Sequence, residues 1–464
     1  MDTQTDKPLG SPHIAARLDR LPTTRFHIKV ASLLGVGTFF DGFDAISVAV
    51  VLPVIVSTFD ISFAEAGLII SAGYLGQFVG ALAIGALSDR IGRRPAFVIC
   101  LAMFGLLSLA CAFAWSSTSL LVFRLVQGLG LGAEVPVAAT LMNEYLGRRN
   151  RGRIGVLYQS VFQWGFFLAP LVALILVSTA GPELGWRILL GIGALPLVMA
   201  VVAWVMLPES ARWLASKGRM VEAERHVSLI ERQATTHGRV LEEPEPAAEQ
   251  LEGTRFRARE LFLGVYGRRT AMLAVVWFSS YFVIYGFSVW LPSLYVSVGG
   301  LPQSASLLLT TIAGALGLAS FYFIAAIIER VGRKPLLVGG LAITVAGAGF
   351  GAGATGIFGA TAWPYLFTAG AIMTIGMTAP GAVLYLYTAE LYPTRMRGFA
   401  TSTASSFNRI ASVISPILIG SLIGVAGGAG VIFTVLVIGA GVALVTIAVA
   451  GVETKGRRLE DISG

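Results

Sequence analysis

Five ionisable side chains stand in stretches otherwise built for oil. They are Asp41 and Asp44 in TFFDGFDAISVAV, Arg124 and Glu134 in RLVQGLGLGAEVPVAA, and Arg409 in SSFNRIASVISP. An intramembrane charge is costly unless it is paired or hydrated, so its default reading is functional. Asp41 and Asp44 are three residues apart and share roughly one helix face. Two neighbouring carboxylates with little water do not both stay ionised, so one is expected to carry a proton. Arg409 keeps its charge and favours a planar anion that it can grip with two hydrogen bonds. A substrate carboxylate fits; so does a fixed internal partner such as Asp41 or Glu134. Ten helical residues separate Glu134 from Arg124, a turn that leaves it about 80° away from that residue's direction. Glu134 is a second protonation site, an arginine's partner, or a structural group; the spacing alone does not choose.

The elements that must hold these groups are membrane spans. The chain has 464 residues, of which 55% are apolar and 13% charged, and its mean hydropathy is +0.77. Apolar blocks, each long enough to cross a hydrocarbon layer of about 30 Å as a helix, fall at 29–57, 66–87, 95–115, 119–146, 153–179, 187–207, 270–297, 304–328, 335–354, 362–391, 398–425 and 429–451. Short alternating segments, the mark of a membrane β-barrel, are absent. The excess of basic residues (net +8) suggests nucleic acid only until it is mapped. With both termini placed in the cytoplasm, 31 of the 34 Lys and Arg fall on that side, as topology by positive charge requires. Only Arg124, Arg187 and Arg409 are left over, with Arg187 at the outer end of span 6.

Cys100 and Cys111 lie eleven residues apart on span 3, about 16 Å along the axis, too far to bridge. The four His all lie outside the spans, so an intramembrane proton relay must use carboxylates. No nucleophile–base set or metal-ligand cluster is legible, which argues against an enzyme and against a bound cofactor or metal.

The longest polar stretch, 208–268, follows the sixth span. It opens as an amphipathic helix former and turns acidic and Pro-rich in EEPEPAAEQ, which reads as linker. The resulting domains are a tail (1–25), a six-span half (26–207), the insert (208–268), a second half (269–451) and a C-terminal tail (452–464). The halves repeat each other: SDRIGRRP (88–95) matches IERVGRKP (328–335), and NEYLGRRNRG (143–152) matches AELYPTRMRG (389–398). Duplicated halves are typical of transporters that rock around a central site.

Here the chain resembles the major facilitator superfamily over nearly its whole length. GALSDRIGRRPAF is similar to that superfamily's loop between spans 2 and 3, and RLVQGLGLG to its span 4 motif. PESARWL (208–214) and ETKG (453–456) look like the sugar-porter signatures that close each half. The resemblance implies twelve transmembrane helices in an all-α fold with both termini cytoplasmic. It also implies a conformational latch of ion pairs between the halves when the inside is closed, drawn from Asp89, Arg93, Arg94, Glu144 and Arg151 with their copies Glu329, Arg333, Glu390 and Arg397. The alternative is that these residues simply anchor helix ends. Asp44 falls on the coupling-acid position of proton-driven sugar porters and Arg124 on its span 4 partner, either as a proton switch or as a permanent strut. DGFD is similar to the aromatic-acid/proton symporters, SSFNRIASVISP to organic-anion, nicotinate and aromatic-acid carriers, and GAEVPVA to nicotinate permeases and the synaptic-vesicle glycoprotein branch.

Polar and aromatic side chains that could shape a pocket are Tyr158, Gln159, Gln163 and Trp164 on span 5, Trp277, Tyr281, Tyr285 and Trp290 on span 7, and Tyr385 and Tyr387 on span 10. Membrane aromatics also serve as interface anchors, the simpler reading for Trp290 just before Pro292. Span 7 reads VVWFSSYFVIYGFSVWLP, without the run of Gln, Asn and Tyr by which sugar porters read their ligand, and this lowers the sugar reading.

The expectation is a monomeric, multi-pass bacterial inner-membrane symporter that imports a small organic acid with protons. It is driven by the proton gradient without a cofactor, and its partners are an anionic substrate, protons and lipid. An aromatic monocarboxylate, hydroxybenzoate-like or nicotinate-like, leads. The proton-coupling set is Asp41, Asp44, Arg124 and Glu134. The substrate-binding set is Arg409, Tyr158, Gln159, Gln163, Trp164, Tyr281, Tyr285 and Tyr385. A sugar or polyol symporter and an exporter of small organic compounds remain as alternatives.

Overall fold

The structure, a computed structural model, describes residues 11–145, 151–235, 241, 243, 258–425 and 427–456. Twelve of its helices are long and apolar enough to cross a membrane. Those named below are span 1 (Arg25–Phe59), span 2 (Phe63–Ile91), span 3 (Arg93–Ala112), span 4 (Ser117–Tyr145), span 5 (Tyr158–Ala180), span 6 (Pro182–Met206), span 7 (Gly264–Ser288), span 8 (Gln303–Val331), span 10 (Trp363–Glu390) and span 11 (Arg395–Ile423). Helices are the natural answer to the composition, because a chain in hydrocarbon must satisfy its backbone polar groups within itself.

Prolines mark the breaks. Span 6 is two helices that meet at Gly193 and Ala194, with Pro196 in the first turn of the second. Span 7 stops at Ser288 and resumes as Leu291–Ser297 with Pro292 in its first turn. A proline in a first turn has no helical N–H to lose. Span 7 also starts earlier than its hydropathy suggests, inside the stretch GVYGRR.

Spans 2 and 4 pack backbone to backbone. A Cβ on Gly132 would come within 1.9 Å of the Gln77 carbonyl oxygen, and one on Gly80 within 2.1 Å of the Leu129 carbonyl oxygen. Only glycine permits that approach, and it locks the N-terminal half into one body.

The halves meet through span 2 against span 11 and span 5 against span 8. The span 2 contacts run outward from mid-membrane. Gln77 meets Arg409, Tyr74 packs on Tyr285 with ring centroids 4.8 Å apart, and Ser71 donates to the Val413 carbonyl at 2.7 Å. Gly67 lies against the Pro416 carbonyl. On the side away from the chain ends, then, the molecule is closed.

On the side of the chain ends, three short helices add a cap: Ser11–Asp19, Ala211–Ser216 and Met220–Thr235. Ile14, Leu18 and Leu21 are buried in one cluster with Trp213, Leu214, Val227 and Ile230. Arg17 and Arg20 both grip Glu231, at 2.5 and 2.7 Å, and Arg212 holds Asp19 at 2.9 Å. The Trp213 indole donates to the Asp89 carbonyl, and the Arg212 guanidinium to that of Glu144. The cap is therefore fastened to the N-terminal half.

Candidate functional site

A cavity of about 220 Å³ lies between the halves. Arg409 enters it near the middle of its helix and donates to the Gln77 side-chain oxygen at 2.5 Å. Asp41 lines the same cavity from span 1, and its charge and that of Arg409 act on each other without forming a contact pair. Gln159 and Gln163 from span 5 and Tyr281, Tyr285 and Tyr385 from the second half line it too. Gln159 and Tyr385, toward the chain-end side, are exposed, whereas Ile46 and Tyr74, toward the far side, are buried, so the cavity opens toward the chain ends.

The second half supplies an aromatic wall. Trp277 stacks on Tyr281 with planes 6° apart and centroids at 5.2 Å, Tyr281 follows Tyr285 at 6.0 Å, and the Trp277 ring meets Tyr385 edge-on at 4.7 Å. Side chains at i, i+4 lie one above the other on a helix face, so these rings form one row along span 7. Trp277 itself is fully buried and donates to Thr388, so it braces the wall from behind. Trp290 donates to the Pro416 carbonyl and belongs to the contact between halves. Tyr387 donates to the Val452 carbonyl and ties down the chain after the last span.

Two expected pocket residues lie outside the cavity wall. Tyr158 is buried and hydrogen-bonded to Thr38, which does line the cavity. Trp164 is exposed and donates to the Tyr322 hydroxyl at 3.0 Å, joining spans 5 and 8. Among the lining residues that escaped the sequence reading are Thr38, Tyr74, Gln77 and Asn408. A lone amide in an apolar span, as in GYLGQFVGALAIG, was the available signal for Gln77.

Asp44 and Arg124 meet as the resemblance implies, at 2.7 Å. The Asp44 carboxylate accepts from one Arg124 nitrogen through both oxygens and from the Gln127 amide at 3.0 Å. Gln127 donates in turn to Ser108 at 2.6 Å and accepts from Arg124 at 2.8 Å. Neither member of the pair lines the cavity, and both are about 4% exposed.

Glu134 is buried completely. Among the described residues neither of its carboxyl oxygens has a hydrogen-bond partner, and one occupies the space a Cβ on Gly37 would take. A carboxyl group buried without a partner is costly to keep charged.

The charged helix ends repeat in both halves. Arg93 pairs with Asp89 at 2.5 Å and with Glu144 at 3.4 Å; Arg333 pairs with Glu329 and Glu390, each at 2.9 Å. Each pair lies within one half, so in this conformation they bundle helix ends rather than join the halves. Arg94 stacks on Trp204 at 4.5 Å and donates to its carbonyl. Arg397 stands at the start of span 11. The side chain of Arg151 lies outside the described residues.

Two signature acids complete the repeat. Glu209 accepts from the backbone N–H groups of Arg93, Arg94 and Ser210, and Glu453 from those of Arg333, Lys334, Thr454 and Lys455. Each carboxylate sits at a helix N-terminus, where it satisfies orphan N–H groups and the dipole. The acid lies over Gly92 or Gly332, whose φ values of +110° and +104° only glycine adopts freely. The two differ electrically. Burial pushes the Glu209 carboxyl up despite its three donors, whereas at Glu453 four donors outweigh burial and hold the carboxyl low.

Twelve spans in two repeated halves around one mid-membrane cavity define a transporter, not an enzyme. The sequence model for the family of sugar (and other) transporters matches residues 30–464, and the chain belongs to this family. It is 33% identical to the niacin transporter NiaP of Acinetobacter baylyi, over 97% of this chain and 99% of that protein. It is 30% identical to the 4-hydroxybenzoate transporter PcaK of Pseudomonas putida, over 94% of each chain. Among solved structures, an inward-open conformation of the xylose transporter XylE from E. coli superposes with a TM-score of 0.74 at 17% identity, covering 94% of this chain and 99% of that one, which supports the fold. The protein is a multi-pass inner-membrane transporter of a small molecule.

Proposed function

We propose that the protein imports a small aromatic monocarboxylate together with protons by alternating access. The observation that carries this reading is Arg409, a permanent cation brought to mid-membrane in a cavity with tyrosines on one wall and Asp41 facing it. The guanidinium supplies two parallel donors for a carboxylate, and the row of tyrosine rings suits a flat ring. The relatives that carry niacin and 4-hydroxybenzoate support the same ligand chemistry.

Asp41 is the acid that meets the cavity, so it is the group we assign to take the entering proton. Protonated, it leaves Arg409 to the substrate; deprotonated, it balances that cation after the substrate has gone. Asp44 with Arg124 is the pair that breaks and re-forms as the halves move, and Glu134 holds a further proton behind Thr38 and Tyr158. A second reading of the Asp44–Arg124 pair is favoured by its three hydrogen bonds and its seclusion from the cavity: a permanent strut. With the Lys- and Arg-rich side in the cytoplasm, the described conformation faces inward.

The test is uptake into proteoliposomes with an imposed inward proton gradient, using labelled nicotinate, 4-hydroxybenzoate and xylose. Accumulation of either acid, abolished by collapsing the gradient and absent for xylose, is expected. Xylose uptake without acid uptake overturns the reading.

A further inference from the structure

Among the described residues, Arg409 has one hydrogen-bonded side-chain partner in this conformation, and it comes from the other half of the molecule. Gln77 sits fourteen residues into span 2, which places both residues near the middle of their helices. Arginine has donors only, so the Gln77 oxygen must be the atom that faces it, at 2.5 Å. That oxygen engages one of the donors that a carboxylate gripping the guanidinium with two bonds would use.

Gln77 cannot follow Arg409 when the halves pivot. Its backbone is held against span 4, where a Cβ on Gly132 would strike its carbonyl and one on Gly128 would come within 2.9 Å of its nitrogen. Gln77 therefore rides with the N-terminal half and Arg409 with the C-terminal half. Their bond is the innermost of a row that continues through Tyr74, Ser71 and Gly67, spaced three, three and four residues apart on one helix face, and that row seals the side away from the chain ends.

We propose that Gln77 is a positioning residue that stands in for the substrate: its amide oxygen holds Arg409 while the carrier is empty and is displaced by the incoming carboxylate, so that filling the site releases the innermost bond of the seal. This deepens the aromatic-acid reading and rests on it for the identity of the ligand. The seal itself does not depend on that reading. A hydrogen bond to a charged group is among the stronger ones, so losing the competitor is expected to tighten carboxylate binding about tenfold or more.

The experiment has two arms on purified full-length protein. In the first, spin labels at Thr118→Cys and Ser421→Cys, exposed positions at the far ends of spans 4 and 11, report the separation of the halves without ligand. The native cysteines are buried and stay unlabelled. Gln77→Ala is expected to add a longer-distance population absent from the parent. In the second arm, calorimetric titration with 4-hydroxybenzoate and with nicotinate is expected to show tighter binding to Gln77→Ala. Gln77→Glu, which supplies a built-in carboxylate, is expected to bind neither acid and to keep the single short distance.

A merely structural residue would lower thermal stability without raising affinity. Distances and affinity both unchanged in Gln77→Ala, or affinity reduced with the distances unchanged, overturns the proposal. If the parent protein binds neither acid, the aromatic-acid reading fails, and the distance arm still decides whether Gln77 holds the seal.

Discussion

Arg409, Asp41 and Asp44 are chemically ordinary side chains; their surroundings give them different work. Arg409→Ala should weaken nicotinate or 4-hydroxybenzoate binding by roughly 10- to 100-fold, the loss of a charge-assisted contact. Binding of nicotinamide, which carries no charge for Arg409 to hold, should change far less. Equal losses in a paired titration would make Arg409 a scaffold residue. Asp41→Asn should leave thermal stability nearly unchanged and exchange between two loaded compartments intact, while abolishing uptake against a gradient. Asp44 answers a different question. Asp44→Asn strands the Arg124 charge in a dry site, at a cost of about 3–5 kcal/mol. If the pair is a strut, the double variant Asp44→Asn/Arg124→Gln should recover most of the lost melting temperature and keep coupled uptake. Recovered stability with coupling lost would make the pair a proton switch.

At the scale of elements, the repeated helix ends were the most legible part of the chain. DRIGRRP and ERVGRKP share a spelling because each needs a positive-φ glycine for the turn and an arginine to collect two acids. What the spelling does not carry is which carboxylate arrives from elsewhere. Glu209 and Glu453 lie more than a hundred residues downstream of the Arg93 and Arg333 N–H groups they accept from. Nor does it carry whether the ion pairs cross between halves, since that depends on conformation. The two signature acids should respond to pH in opposite senses. Glu453 is held below its ordinary value, so its stabilisation is complete above about pH 4.3, the unfolded value, and is lost as the pH falls through the lower folded one. Glu209 is raised, so its ionisation weakens the fold at neutral pH, and that penalty fades as the pH falls through its folded value. Melting curves should therefore show Glu453→Gln destabilising at pH 7, with the gap to the parent narrowing in acid. Glu209→Gln should be milder at pH 7. A larger loss at Glu209 than at Glu453 at pH 7 contradicts the assignment. Gly332→Ala should also destabilise, because the residue sits at φ +104° and its Cβ would press within 3 Å of the Glu453 carboxylate.

For the molecule as a whole, hydropathy and charge placement were enough to find the spans and the division into halves, because a bilayer tolerates so few other solutions. The cavity was only partly legible. Arg409, Asp41 and the tyrosines announce themselves as polar groups in apolar helices. Gln77 and Thr38 matter through what stands opposite them, and opposition across two halves is not written along one helix. Trp164 misled for the same reason: its ring turns to span 8 rather than to the cavity. The inward assignment is checked by labelling a cysteine at Gln159, an exposed cavity position, in vesicles of both orientations. Reagent should reach it from the side of the chain ends without substrate, and slow labelling from that side would contradict the described opening.

The clamp of Arg17 and Arg20 on Glu231 carries a practical warning. Trimming the first twenty residues, a routine step when preparing a carrier for expression, would bare the greasy seat of Ile14 and Leu18 and strand an acid that two guanidiniums had neutralised. Such a truncation should reach the membrane in lower yield, and its poor uptake would then report on quality control in the host cell rather than on the passage of substrate.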